Sequence, residues 1–229
     1  MEFAIKTLVL STATFGLMLS VTQNAQAATL IPGVTAGTTI STQWALNDAV
    51  NGQGLPGNTP SLTGEHGESL IGNSWRSDIL NNTQGTTIPS GTITFNLNGS
   101  YNLSGFTFWN LGGGSEELTR QGINNVTIEY SNNGGTTWST LSGAPTSFTQ
   151  GTFGTPGTNQ TPQAFSFASV AATNVRFTNL SNFGGLPTAD NRIGFSEIQF
   201  AAGTKIPEPS SLLALLAFGL AGVSLGKRI

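Results

Sequence analysis

Apolar side chains occupy every second position in several short stretches of the chain. The clearest are 103–109, with Phe106 and Phe108, and 126–130, with Val126 and Ile128. A period of two places alternate side chains on one face, so each stretch predicts a β-strand with one buried face. Similar but shorter patterns predict further strands at 41–44, 93–97, 165–167, 175–177 and 195–200.

Turn residues separate these strands. Ser131–Gly135 tolerates positive φ and predicts a tight reversal, after which Thr136–Trp138 resumes an extended pattern. Residues 45–52 predict a turn or a single helical turn that ends at Gly52. About eight short strands result, with no helix expected outside the termini. A two-sheet antiparallel β-sandwich is the simplest way to bury their apolar faces.

The N-terminal residues have the pattern of an export signal. Lys6 precedes an apolar run at 8–21, and Ala25–Ala27 follows with small residues. This order predicts a signal peptide at 1–27, cleaved after Ala27. A membrane anchor is the alternative, although the run is short for a bilayer. Residues 28–39 show no periodicity and are expected to be a leader into the domain at 40–202.

The C-terminal segment 203–229 forms a second distinct unit. Pro207, Glu208 and Pro209 end the domain, residues 210–226 are almost wholly apolar, and Lys227 and Arg228 follow. At helical rise the apolar run spans roughly 25 Å, which suffices for a transmembrane helix if the bilayer thins locally. The basic pair predicts a cytoplasmic end, which leaves the domain outside.

Composition excludes several classes of function. Charged residues are 8% of the chain and the net charge is −3, so a nucleic-acid partner is not expected. The chain has 30 glycines, which suits short strands joined by turns. No cysteine is present, so neither disulfides nor thiolate metal sites can form.

Two families resemble parts of the sequence. Trp109-Asn110, a Gly-rich loop and V-x-I-x-Y-S-x-x-GG-T-T-W at 126–138 resemble a discoidin-type (coagulation factor 5/8 C-type) domain. Residues 73–77, 174–177 and 193–200 resemble further motifs of that family in the same order. The resemblance implies a galactose-binding-like, jelly-roll-like sandwich.

The tail is similar to the PEP-CTERM sorting signal of Gram-negative bacteria. That resemblance implies export by the secretion machinery, transient membrane anchoring and cleavage by an exosortase-type enzyme. The mature protein would then reach the cell surface or extracellular matrix. A permanent single-span anchor remains the alternative.

The sequence offers few groups for catalysis, so no catalytic residues are assigned. His66 is its only histidine, and no serine lies in a nucleophile-elbow motif. Glu65 and Glu68 are conceivable as the acid and base of a glycoside hydrolase. Both lie in a Gly-rich loop, where solvated charges are the simpler explanation.

The discoidin-type resemblance also implies a calcium site. In related sandwiches an A-x-D-G-type turn meets a glutamate of the last strand, positions that Ala49–Gly52 and Glu197 occupy here. Asn51 replaces the common aspartate, Asp48 is a nearby substitute, and backbone oxygens near Asn73 are candidate ligands. Alternatively, Glu197 accepts hydrogen bonds from loop amides.

Sugar ligands require aromatic faces and planar polar groups. Trp75, Trp109 and Trp138 are expected in or beside the core, which leaves Trp44 as the aromatic candidate. Four polar residues are candidate partners at loop ends: His66, Arg76, Arg120 and Arg192.

The favoured hypothesis is an exported, non-catalytic adhesion or binding module associated with extracellular polysaccharide. A self-associating structural matrix protein without a specific ligand is the second hypothesis, since low charge opposes association little. A glycoside hydrolase is the third.

Overall fold

The computed structural model describes residues 28–80, 91–154, 157–184 and 191–203. No helix in these ranges is long and apolar enough to cross a membrane. The predicted signal peptide and the apolar run of the tail lie outside them. The ranges contain β1 (Thr29–Leu30), β2 (Thr35–Thr38), β3 (Thr42–Trp44), β4 (Trp75–Ser77), β5 (Ile93–Asn110), β6 (Thr127–Ser131), β7 (Ser139–Thr140), β8 (Gln163–Thr178), β9 (Gly194–Ala202), the short helix α1 (Glu116–Arg120) and 3₁₀ turns at Leu46–Ala49 and Pro56–Asn58.

The strands form one antiparallel ladder that folds into two layers. Its order is β3-β4-β9-β5-β8-β6-β7, with β1 on β9 and β2 on β5. The long strands β5 and β8 pair along their length, but their register shifts between Asn96 and Tyr101. Residues 93–96 of β5 pair with β2, and residues 103–110 pair with β9. The long strands therefore belong to both layers, and the predicted antiparallel sandwich is confirmed.

Aromatic rings fill the space between the layers. The ring centroid of Phe95 lies 5.2 Å from that of Phe200 and 5.1 Å from that of Phe177. Phe106 lies 6.2 Å from Phe177 and 6.1 Å from Phe200, so it contacts both layers. Phe106, Phe108, Val126 and Ile128 are buried, as their alternation predicts.

Three local features differ from the sequence-based expectation. Residues 93–97 and 103–109 belong to the single strand β5, because Asn98 and Gly99 adopt positive φ and bend the strand without ending it. Residues 28–39 contain β1 and β2, short edge strands fixed by pairing with β9 and β5. The expectation of no internal helix is wrong, because α1 follows Ser115, whose hydroxyl accepts a hydrogen bond from the Leu118 amide.

The loop at 50–74 covers the outer side of β5 and β9. The Thr107 hydroxyl donates to the Leu62 carbonyl, and the Trp109 indole donates to the Gly64 carbonyl. Both faces of β5 near its end are consequently buried, whereas alternation alone predicts one buried face. This loop and α1 position the candidate site.

Candidate functional site

A cavity of about 340 Å³ opens where β3, β4, the loop at 68–70 and α1 meet. Trp44 and Arg76 come from the paired strands, and Gln121 follows α1. Leu70 and Leu118 add apolar surface, and Glu68 adds a carboxylate. The cavity thus combines an aromatic ring, aliphatic side chains and planar polar groups, the composition expected of a small-ligand site.

Trp44 and Arg76 are cross-strand neighbours on β3 and β4. The guanidinium carbon of Arg76 lies 4.1 Å from the centroid of the Trp44 ring, a cation–π contact. Its Nε and Nη2 donate to Gln43 Oε1, and Nη1 donates to Gln121 Oε1 over 3.3 Å. These contacts orient both residues in the cavity wall. The structure therefore brings together two of the residues predicted from sequence.

Gln121 was not predicted as a site residue, and Glu68 was considered only as a catalytic acid or base and not as a ligand contact. Glu68 Oε1 accepts a hydrogen bond of 2.8 Å from the Gly114 amide, so the turn before α1 positions the carboxylate. The Ser115–Glu117 run, a capping residue followed by two acids, is a helix-start signal that could have predicted α1, although not its position beside this loop.

Arg192 and Arg120 do not line the cavity. Arg192 is buried, and its Nη1 donates to Gln43 Oε1 over 2.7 Å and to the Ser77 carbonyl over 3.2 Å. Arg120 forms a 2.9 Å ion pair with Glu116 one helical turn away. Arg192 thus supports the residue that orients Arg76, and Arg120 stabilises α1.

His66 is fully buried within the loop at 50–74. Its Nδ1 lies 2.7 Å from the Gly67 carbonyl oxygen, and its Nε2 lies 2.9 Å from that of Gln53 and 3.0 Å from that of Asn73. Burial lowers the pKa of His66, and the three carbonyl contacts oppose this effect. The ring joins three points of the loop and lies outside the cavity lining.

Glu197 is also fully buried, on β9 beneath the same loop. Its Oε1 accepts hydrogen bonds from the Gly52 amide over 3.2 Å and from the Gln199 side chain. Its Oε2 is buried and has no hydrogen-bond partner among the described residues. The pKa of Glu197 rises from 4.5 to about 8, chiefly because of burial; the hydrogen bonds from Gln199 and Gly52 oppose this rise, and the charge of Asp48 adds to it.

The predicted calcium ligands are only partly assembled. Asp48 interacts electrostatically with Glu197, and the turn after Asn51 contacts it through Gly52. The Asn51 side chain accepts a 2.8 Å hydrogen bond from the Gln53 amide, and the Asn73 carbonyl faces His66. No group of three or more His, Cys, Asp or Glu side chains suited to a metal occurs in the described parts of the chain.

The two glutamates considered for glycoside hydrolysis are separated in the structure. Glu68 lines the cavity, whereas the exposed Glu65 accepts a 3.0 Å hydrogen bond from Asn159 and does not line it. The cavity therefore contains one member of that pair.

The C-terminal tail matches a known family model. Residues 205–228 match the PEP-CTERM protein-sorting motif. The match confirms the resemblance of Pro207–Pro209, the apolar run and the basic end to this signal. These residues lie outside the described ranges. No curated protein matches the chain closely enough to count as a relative.

Solved structures similar to this chain include carbohydrate-binding modules from Clostridium perfringens. The family 32 module of NanJ in complex with galactose has a TM-score of 0.47 and 16% identity, with 76% of this chain and 99% of that chain covered. CpGH89CBM32-5 in complex with GalNAc-β-1,3-galactose has a TM-score of 0.46 and 15% identity, with 77% and 100% covered. CBM32-3 of a family 31 glycoside hydrolase has a TM-score of 0.46 and 17% identity, with 77% and 95% covered. Similarity at this level assigns neither a ligand nor an activity to this chain.

Proposed function

We propose that this protein is an exported, non-catalytic module that binds glycans of the extracellular matrix through the Trp44–Arg76 cavity. The observation that carries the proposal is the cavity itself, in which an oriented aromatic ring adjoins a guanidinium, an amide and a carboxylate. Saccharides have apolar C–H faces edged by hydroxyl groups, so a ring beside planar polar groups matches both surfaces.

The sorting signal gives the setting for this activity. The match at 205–228 supports export and handling by an exosortase-type enzyme after transient anchoring in the membrane of a Gram-negative cell. Cleavage there would release the sandwich to the cell surface or matrix, where extracellular polysaccharide is available. Fractionation of cells expressing the full chain tests this step, and a cytoplasmic product would contradict it.

Trp44→Ala tests the glycan site. Loss of the ring removes the apolar platform and releases Arg76, so affinity for a bound polysaccharide should fall at least about tenfold. Isothermal titration against saccharides identified on a glycan array measures the change. Trp138→Ala is the matched control, because Trp138 also stacks on an arginine, Arg176 at 4.3 Å, but lies outside the cavity lining.

Two results would contradict the glycan proposal. One is unchanged affinity in Trp44→Ala, which would move the site elsewhere on the surface. The other is an absence of binding to every saccharide tested, including the matrix polysaccharide of the producing cell.

We further propose that a calcium ion stabilises the loop at 50–74 through Glu197. Two observations fit such an ion. The buried Oε2 of Glu197 has no hydrogen-bond partner among the described residues, and Asp48 adds a second negative charge nearby. The ion would supply positive charge that neutralises Glu197. Gly52 already satisfies Oε1, so the alternative role of accepting a loop amide accounts for only one oxygen.

Thermal unfolding tests the calcium proposal. The full chain should unfold at a higher temperature with millimolar calcium than with a chelator, because a ligand that binds only the folded state stabilises it. Magnesium is the control ion, since it demands a tighter octahedral shell. Superimposable curves with calcium and with chelator would contradict the proposal.

A further inference from the structure

The charges of the cavity wall are unequally available to a ligand. Two carboxylates, Glu68 and Glu117, and one guanidinium, Arg76, line the cavity. The nitrogens of Arg76 donate to the amide oxygens of Gln43 and Gln121, and its flat face covers Trp44. The hydrogen-bond donors of Arg76 are therefore already directed at amide oxygens of the protein.

Glu68 is held in place with one oxygen directed at the protein. Its Oε1 accepts the Gly114 amide proton, and a Cβ on Gly113 or Gly114 would lie 2.3 Å or 2.8 Å from the Glu68 side chain. Gly113 also has a φ of +138°, which favours glycine. No hydrogen bond from the described residues to Glu68 Oε2 is found. A positioned carboxylate oxygen is thus available at the cavity wall.

We propose that the cavity selects a saccharide carrying a free amine, a hexosamine whose ammonium donates to Glu68 while its ring packs against Trp44. The inference rests on the proposed glycan-binding function. An ammonium that donates to a carboxylate forms a hydrogen bond between two opposite charges, whereas a hydroxyl or acetamido donor brings no charge of its own. A uronic acid would instead bring its carboxylate beside that of Glu68, which repels it.

Titration calorimetry of the full chain with two matched probes tests the inference. The probes are a β-1,4-linked glucosamine tetramer and its N-acetylated counterpart, compared at about pH 6, where free amines are charged. The glucosamine tetramer should bind about tenfold more tightly or better, and added salt should weaken that preference.

Glu68→Gln should abolish this preference, because the amide keeps an oxygen for the Gly114 amide but loses the charge. Glu65→Gln is the matched control, since it removes the same charge from the same loop outside the cavity lining. Thermal unfolding of both variants confirms that each is folded.

The outcomes separate this inference from the function on which it rests. Equal or tighter binding of the N-acetylated tetramer overturns the inference alone, as does a preference that survives Glu68→Gln. Binding only of another neutral saccharide, lost in Trp44→Ala, likewise overturns the inference and keeps the glycan site. Binding of no saccharide at all overturns both.

Discussion

The two faces of the central strands β5 and β9 are both shielded from water but differ in chemistry. The face between the layers is aromatic, with Phe106 at the centre of a set of contacting rings. The face beneath the loop at 50–74 is polar, and buries Glu197, Gln199 and Thr107. Apolar contacts are non-directional, whereas each buried polar atom needs a specific partner.

This difference in chemistry separates the face that provides most of the stability from the face that responds to pH. The aromatic face contributes burial that is independent of pH near neutrality, since the phenylalanine rings at its centre do not titrate. The polar face should respond to pH, because one buried oxygen of Glu197 has no hydrogen-bond partner among the described residues and the His66 ring contacts three carbonyl oxygens. The loop on that face also supplies Glu68 to the cavity. A change of pH that alters the polar face should therefore also alter the candidate site, while the sandwich itself stays folded.

Phe106→Ala is expected to have the largest effect on folding. Removing a buried phenylalanine leaves a space that neighbouring rings cannot fill, with a loss of about 4 kcal/mol in the free energy of unfolding. Denaturant unfolding measures it. Phe153→Ala is the control, because Phe153 is 55% exposed and should cost under about 0.5 kcal/mol. Equal losses in the two variants would show that the aromatic face does not dominate stability.

The aromatic face could be predicted from sequence because its cause is local. Alternation at Phe106–Phe108 and Val126–Ile128 identifies buried positions without knowledge of their partners. The Ser131–Gly135 reversal between β6 and β7 is predicted for the same reason, since turn residues act over a few positions. The bend at Asn98–Gly99 was not predicted, because an Asn-Gly pair at a bend within one strand has the same sequence pattern as a turn between two strands.

The candidate site was predictable only in part. Trp44 and Arg76 were identified separately by chemical type, but their contact depends on the pairing of β3 with β4. His66 and Arg192 were chosen by the same criterion and proved to be buried structural residues. Chemical type shows what a side chain can do, and only tertiary structure shows whether a ligand reaches it. Glu68 joins the cavity through the Gly114 amide, a contact between loops that no local pattern encodes.

Glu197→Gln is expected to change the free energy of unfolding in a pH-dependent way, by less than Phe106→Ala does. A carboxyl whose pKa rises from 4.5 to about 8 on folding stabilises the protein fully below 4.5 and loses that contribution as pH rises toward 8. At pH 7 the loss amounts to about 3 kcal/mol, since each pKa unit corresponds to about 1.4 kcal/mol. The glutamine variant cannot ionise and avoids this loss.

Denaturant unfolding of chelator-treated protein between pH 4 and pH 8 measures this effect as the difference between variant and wild type. The free energy of unfolding of Glu197→Gln should increase steadily relative to that of the wild type as pH rises. Glu65→Gln controls for the loss of one exposed negative charge. A constant difference across the range would mean that Glu197 ionises as readily in the folded chain as in the unfolded one. The polar face would then be as insensitive to pH as the aromatic face, and the contrast between them would reduce to packing.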